Sequence, residues 1–318
     1  FNLNDYEIEK KDLGDVINIP GSGSRSLIGE PLLPSLSSFV KLDKNKSYNI
    51  QYNVISEKEI NEISIMPFQT FGDKAVDYQK NELIYSNSST FPERNLYVSE
   101  RKSMRGTEFV NLELIPFIYN PTQNQLTIIE EVEIIISETG QVNEPISQDF
   151  PNSKVFERMI NAIVINPSTN ETRNEDYQRP SILYICGGST ETNSYFQQLV
   201  KWRRKQGYVV YTASTSETGG SNTTAIKNYI QGSMNWDTPP EFVTLVGDDG
   251  GNYNIDTYTE YDSGYNGDGD HPYSQLDGND LWPEVVLGRI SVRSSSELAV
   301  VVSKILGYEQ VVDDTQNW

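Results

Sequence analysis

The sequence predicts an α+β chain: an all-β, sandwich-like domain over residues 1–150, a linker over 151–180, and an α/β unit over 181–318 with a parallel sheet covered by helices. Three observations predict it. Apolar and polar residues alternate through stretches of the first half, as in Ser47-Tyr48-Asn49-Ile50-Gln51-Tyr52-Asn53-Val54, and period two marks half-buried antiparallel strands. From Ser181 the pattern changes to short apolar runs separated by helix-length stretches, the alternation that builds a parallel sheet. Between the two, Asn, Thr, Glu and Arg dominate, and Pro167 and Pro180 act as breakers around one apolar patch, Ala162-Ile163-Val164-Ile165.

Taken in order, Glu131-Val132-Glu133-Ile134-Ile135-Ile136 begins with the same alternation as the Ser47 strand. Asn120-Pro121-Thr122-Gln123-Asn124-Gln125 separates Ile115–Tyr119 from Leu126–Ile129, which is hairpin turn chemistry. In the second half, Ile182–Ile185 reads as a strand. Tyr195–Gln206 reads as a helix with Phe196, Leu199, Val200 and Trp202 on one stripe, ended by Gly207. Tyr208–Tyr211 gives the next strand, and Ala225, Ile226, Tyr229 and Ile230 mark a second helix. A strand at Phe242–Val246 and another ending Val286-Leu287-Gly288-Arg289 follow. Ser294-Ser295-Ser296-Glu297 is a capping box ahead of the stripe Leu298, Val301, Val302, Ile305 and Leu306.

Length and composition bound the function. With 318 residues and 36% apolar content the chain can fill two cores. Its 45 acidic against 25 basic residues give a charge of -20, which repels nucleic acid phosphates and anionic lipid and excludes both as partners. One cysteine forms no internal disulfide and leaves the redox compartment open. No run approaches the ~20 apolar residues of a membrane span. Phe1 follows no basic and apolar leader, so any export signal is expected to have been removed or to lie outside this sequence. Abundant Asn, Ser, Thr and Tyr with little Lys suits an exported bacterial protein.

Four constellations invite a chemical reading. Cys186 and His271, the single thiol and the single imidazole, suggest a nucleophile and base. However, Cys186 ends an apolar strand and His271 lies in an aspartate-rich loop, so both read as structural. The loop Asn266-Gly267-Asp268-Gly269-Asp270 places oxygen side chains at alternate positions. With Asp268, Asp270, Asp277 and Asp280 it forms a candidate calcium site, Asp248 and Asp249 being able to join it, or else a solvated acidic loop. A calcium-loop register puts His271 where glycine is wanted and Asp277 where glutamate is usual, so it is not an EF-hand. Gly187-Gly188-Ser189-Thr190 lacks the lysine and spacing of a phosphate loop and reads as a tight strand-to-helix turn. Arg203, Arg204 and Lys205 read as a solvated helix end complementing the dipole.

Gly29-Glu30-Pro31-Leu32-Leu33-Pro34, then Met104-Arg105-Gly106 and Pro116-Phe117-Ile118-Tyr119-Asn120-Pro121, resemble propeptide motifs of the gingipain-type cysteine peptidases. Trp202–Tyr208, Phe242–Asp248 and Asp270–Glu309 are similar, in the same order, to the first half of that family's catalytic domain. The resemblance implies a caspase-like fold and a secreted or cell-surface zymogen acting on protein or peptide substrates, exported in many relatives by type IX secretion. It also implies that the catalytic histidine and cysteine lie beyond Trp318, with the remainder of the catalytic domain and secretion-machinery components as partners. Two rival readings keep the fold without the chemistry: a surface adhesion module, or a sortase-like component of the type IX machinery. Arg173 and Arg179, in the expected linker, are the expected activation cleavage sites.

Overall fold

A computed structural model describes residues 1–70, 77–141, 147–167, 177–262, 265–278 and 280–310. Two units emerge. One gathers Phe1–Arg101, Phe109–Pro145 and Ile163–Asn166; the other gathers Lys102–Glu108, Ile146–Ala162 and Pro167–Trp318.

The first unit is antiparallel. Gln125–Gln141 runs beside Lys46–Asn61 on one side and Phe117–Asn120 on the other. The expected turn closes the hairpin: the Asn120 side chain accepts the backbone N–H of Gln123, and Asn124 takes the left-handed conformation at φ 49°. A second sheet orders Gly23–Ser24, Pro34–Leu42, Thr107–Leu114 and Leu96–Val98. Val40, Leu42, Val110 and Leu112 from this sheet pack against Tyr48, Ile50, Ile134 and Ile136 from the first, so alternate residues of facing strands build a sandwich core. The alternation over Ser47–Val54 specifies a face without guaranteeing its cover. Tyr52 and Val54 stay 37% and 41% exposed.

The second unit holds a parallel sheet in the order Val209–Ser214, Ser181–Cys186, Phe242–Val246, Val286–Ile290. Ser181–Cys186 is buried along its whole length, as a central strand covered on both faces must be. Its residues divide by parity. Leu183 and Ile185 join Ile226, Ile230, Val243 and Leu245 on one face, while Ile182, Tyr184 and Cys186 join Phe196, Leu199, Leu298 and Val302 on the other.

The helices Ser194–Lys205, Thr223–Ser233 and Ser295–Glu309 start where their caps dictate. Asn193, Asn222 and Ser294 accept the N–H groups of Tyr195, Ala225 and Glu297. Glu297 reaches back to the N–H of Arg293 at 2.6 Å, one residue before the position a reciprocal capping box uses. Gly207, at φ 97°, ends the first of these helices. The N–H groups of Gly207 and Tyr208 donate to the carbonyls of Arg204 and Arg203, the paired bonds of a Schellman stop.

The linker expected over 151–180 is corrected in its first part. Lys154–Ile163 is a helix burying Phe156 and Ile160, four residues apart on one face. Ser153 accepts the N–H of Phe156 at its start. The polar composition hid this stripe, and the segment up to Ala162 belongs to the second unit rather than to a connection between domains. Residues 168–176, including the candidate cleavage residue Arg173, lie outside the described residues. No described helix is long and apolar enough to cross a membrane.

Candidate functional site

Loops at the carboxyl ends of parallel strands are where such sheets build sites. Here Gly187, Gly188 and Gly247 leave two central strands, and the backbone of residues 252–254 lies directly on them. A Cβ on Gly188 would stand 2.2 Å from the Asn252 carbonyl oxygen, and one on Gly187 or Gly247 would stand 2.4 or 2.1 Å from that of Tyr253. The glycines admit a protein loop, so the strand-to-helix turn is tight for packing reasons and the space of a phosphate cradle is filled. Thr190, buried, closes the turn by donating to the Gly187 carbonyl at 2.8 Å. Beside it, Asp248 accepts the Ser291 hydroxyl at 2.7 Å and pairs with Arg293.

The thiol and the imidazole have structural surroundings. Cys186 is wholly buried, and burial pushes its thiol up to about 12, which removes the thiolate that nucleophilic attack requires. His271 begins a short 3-10 turn, exposed, with Nε2 at 2.9 Å from the Leu281 carbonyl and Nδ1 at 3.5 Å from the Ser274 hydroxyl.

The four candidate calcium ligands do not converge. Asp268 accepts the Thr259 hydroxyl at 3.3 Å. Asp270 takes a bidentate pair of bonds from Arg289, both at 2.7 Å. Asp277 accepts the backbone N–H of Gln148 at 2.7 Å, and Asp280 those of Ser103 at 2.9 Å and Trp282 at 2.8 Å. Among the described residues, no three His, Cys, Asp or Glu side chains are placed to share a metal ion. The residues therefore do not fit a shared calcium. Coulomb repulsion among them is relieved by separate protein donors, those of Asp277 and Asp280 including backbone N–H groups from a distant part of the chain. Arg289 is the strongest of these: besides Asp270, it donates to the carbonyls of Gly247 at 3.1 Å and Ile255 at 2.9 Å, tying the long loop after Phe242–Val246 back onto the sheet.

At the opposite, amino edge of the sheet sits a buried polar cluster that the sequence reading missed. Arg105 is 5% exposed. Its Nη1 donates to the carbonyls of Pro240 at 2.9 Å and Glu284 at 2.8 Å, and its Nη2 to that of Pro239 at 3.0 Å. The guanidinium lies over the rings of Phe156 and Phe150, 5.0 and 5.5 Å from their centroids. Glu241, 2% exposed, accepts the Ser153 hydroxyl and the Ser181 N–H. Glu284 is wholly buried, with Oε2 accepting the N–H groups of Leu276 and Asp277 while Oε1 has no partner among the described residues. Burial lowers Arg105 to about 10, against the opposing pull of Glu241 and Glu284. The only signal in the sequence was Met104-Arg105-Gly106 itself, an arginine before a turn glycine with no local reason to be buried.

Glu284 yields a pH prediction. Burial pushes its carboxyl up to about 7 from an ordinary value of 4.5, outweighing the two N–H donors that favour the charged form. A carboxyl raised on folding contributes stability fully present below its unfolded value and lost as pH rises through its folded one, here between about pH 4.5 and 7 and amounting to about 3 kcal/mol. Glu284→Gln mimics the protonated form. Denaturant titrations from pH 4.5 to 8 should show the wild type losing stability relative to the variant over that window; parallel curves would remove the assignment.

The helix end at Arg203 is also more than a solvated terminus. Arg203 donates to Glu309 at 2.8 Å through Nη2, and Trp202 Nε1 donates to the same carboxylate at 2.8 Å. Together they clasp the Ser194–Lys205 and Ser295–Glu309 helices. These bonds hold Glu309 below the ordinary carboxylate range, Arg203 contributing most.

The fold and its edges define a class: a β-sandwich unit and an α/β unit with a doubly covered parallel sheet, without a thiolate-imidazole pair among the described residues. Comparison with known proteins agrees with the sequence resemblance. Residues 1–162 match the family model of the C25 propeptide, and residues 175–318 match that of peptidase family C25. The chain belongs to this family, as a propeptide followed by the start of a peptidase domain. Lys-gingipain of Porphyromonas gingivalis is 24% identical over 340 residues, covering 98% of this chain and 19% of that protein. Gingipain R2 of the same organism is 24% identical over 304 residues, covering 91% of this chain and 39% of that protein. The chain thus spans about a fifth to two-fifths of the length of these curated relatives. Among solved structures, the complex of Porphyromonas gingivalis RgpB pro- and mature domains aligns with a TM-score of 0.44 at 20% identity, covering 53% of this chain and 90% of that one.

Proposed function

We propose that the parent protein is a gingipain-like cysteine endopeptidase made as a zymogen and exported to the cell surface or beyond, by the type IX route. In this reading the chain supplies the propeptide and the first part of the catalytic domain, and a cysteine and histidine outside it perform thiolate attack on a peptide carbonyl. The observation that carries the reading is the collinear match of both family models, residues 1–162 and 175–318, along one chain. The buried Cys186 and the Ser274-contacting His271 support it, because neither is poised for attack. Calcium at the acidic loop is no part of the proposal, since its carboxylates hold protein donors instead.

The test is a pair of assays. The chain by itself should not cleave arginyl or lysyl peptide substrates. The parent protein should cleave them after proteolytic removal of its first ~165 residues, gaining at least ~10²-fold in rate over the intact precursor if the propeptide blocks access to the site. A parent that stays inactive after processing, or that is equally active before it, overturns the zymogen reading.

A further inference from the structure

The propeptide sequence and the second unit do not share a boundary. Residues Lys102–Glu108 and Ile146–Ala162 match the propeptide yet fold into the unit that carries the peptidase match. Arg105 is the point where they enter it. It stands with Gly106 at the centre of a two-residue turn, at φ 45° and 76°, the left-handed pair of a tight hairpin. Gly106 is required twice over, since a Cβ there would lie 2.8 Å from the Gln148 carbonyl oxygen. The turn thus delivers one guanidinium to three carbonyls that precede the Phe242–Val246 and Val286–Ile290 strands, with two aromatic rings of the propeptide match closing over it.

Those carbonyls lie just ahead of the strands, where Pro239 and Pro240 lack N–H groups and the ladder has not begun; Gln178 and Ser181 also donate to that of Pro239. Buried acceptors of this kind need a donor. A planar group with five N–H bonds satisfies several at once, which an ammonium on a flexible stem does less well. The flanking contacts have the same sense. Asp280 and Asp277 of the peptidase match accept backbone N–H groups of Ser103 and Gln148 of the propeptide match, and Glu241 accepts the Ser153 hydroxyl.

We propose that the carbonyl cage formed by Pro239, Pro240 and Glu284 is an arginine-recognition site of the peptidase unit, filled by the Arg105-Gly106 turn, and that it retains the propeptide after the connecting chain is cut. The ligand class is an arginine at the tip of a tight turn, followed by glycine. The proposal rests on the zymogen reading only for the physiological cut. Its test reads association alone, so a parent without peptidase activity leaves the test intact.

A recognition sequence for a site-specific protease is placed within residues 168–176 of the full chain, the chain is nicked, and the affinity between the two pieces is measured by gel filtration and surface binding. Nicked wild type should stay associated. Arg105→Met should weaken association by ~100-fold or more, because the buried carbonyls of Pro240 and Glu284 lose their guanidinium donor, while that of Pro239 keeps Gln178 and Ser181. Arg105→Lys, which keeps the charge and should fold even where the methionine variant does not, is expected to weaken association by ~10-fold. Lys102→Met, in the same segment, should change little. Separation of the nicked wild-type pieces, or a lysine variant that binds as tightly as wild type, overturns the proposal.

Discussion

Gly247→Ala should cost ~4 kcal/mol or more, enough to abolish a folded second unit in a marginally stable chain. The new Cβ would sit 2.1 Å from the Tyr253 carbonyl oxygen, and the atom in the way is backbone, so no side chain can swing aside. Backbone relief would lift the 252–254 segment off the ends of both Phe242–Val246 and Ser181–Cys186, since Gly187 and Gly188 meet the same segment. A control separates this clash from the cost of an unusual φ. Gly250 has φ 83° but open space around its Cα, so Gly250→Ala should cost only ~1 kcal/mol. Denaturant titrations of the two variants provide the check; equal losses would show that conformation, not contact, decides both positions.

Arg289→Met should cost about 3–5 kcal/mol, the range seen when one partner of a buried charged pair is removed. The arginine side chain is 11% exposed and Asp270 23% exposed. The variant leaves a carboxylate without its bidentate donor and frees the carbonyls of Gly247 and Ile255. The effect has a location. Backbone amides around Ile255 and Tyr273, both buried against the sheet, should exchange with solvent faster than those of Ser181–Cys186. Uniform acceleration across the unit would mean that Arg289 supports the whole sheet rather than the loop. Asp270→Asn should lose less, because an amide oxygen still accepts one of the two bonds while the charge attraction is gone.

Much of this architecture was legible in residue patterns, for reasons that are local. Gly207 stops a helix because its left-handed φ is inexpensive only for glycine, and Ser294 starts one because its hydroxyl reaches the N–H of Glu297 three residues on. Ile182–Ile185 is apolar at every position because the strand is covered on both faces. Gly187-Gly188 reads as a tight strand-to-helix turn, and the Tyr253 and Asn252 carbonyls above it supply the reason. The helix at Lys154–Ile163 was present in the Phe156 and Ile160 spacing but was overridden by its polar neighbours. Arg203 reads as solvated in the sequence because its partner, Glu309, is over a hundred residues away.

By itself, the sequence determined periods, caps and turns: an antiparallel first half, a parallel second half and membership of a peptidase family whose propeptide and peptidase motifs follow one another along the chain. Only the tertiary structure decided which unit owns Lys102–Glu108 and Ile146–Ala162, where Arg105 is buried, and what the four aspartates bind. The division has a physical origin. Hydrophobic period is fixed by the geometry of one strand or helix and is written in neighbouring residues. A charge, by contrast, takes whichever donor or acceptor the fold brings within about 3 Å. For Asp280 that donor is 177 residues distant and for Asp277 it is 129, so spacing along the chain made the aspartates look like ligands of one ion while folding gave each its own partner.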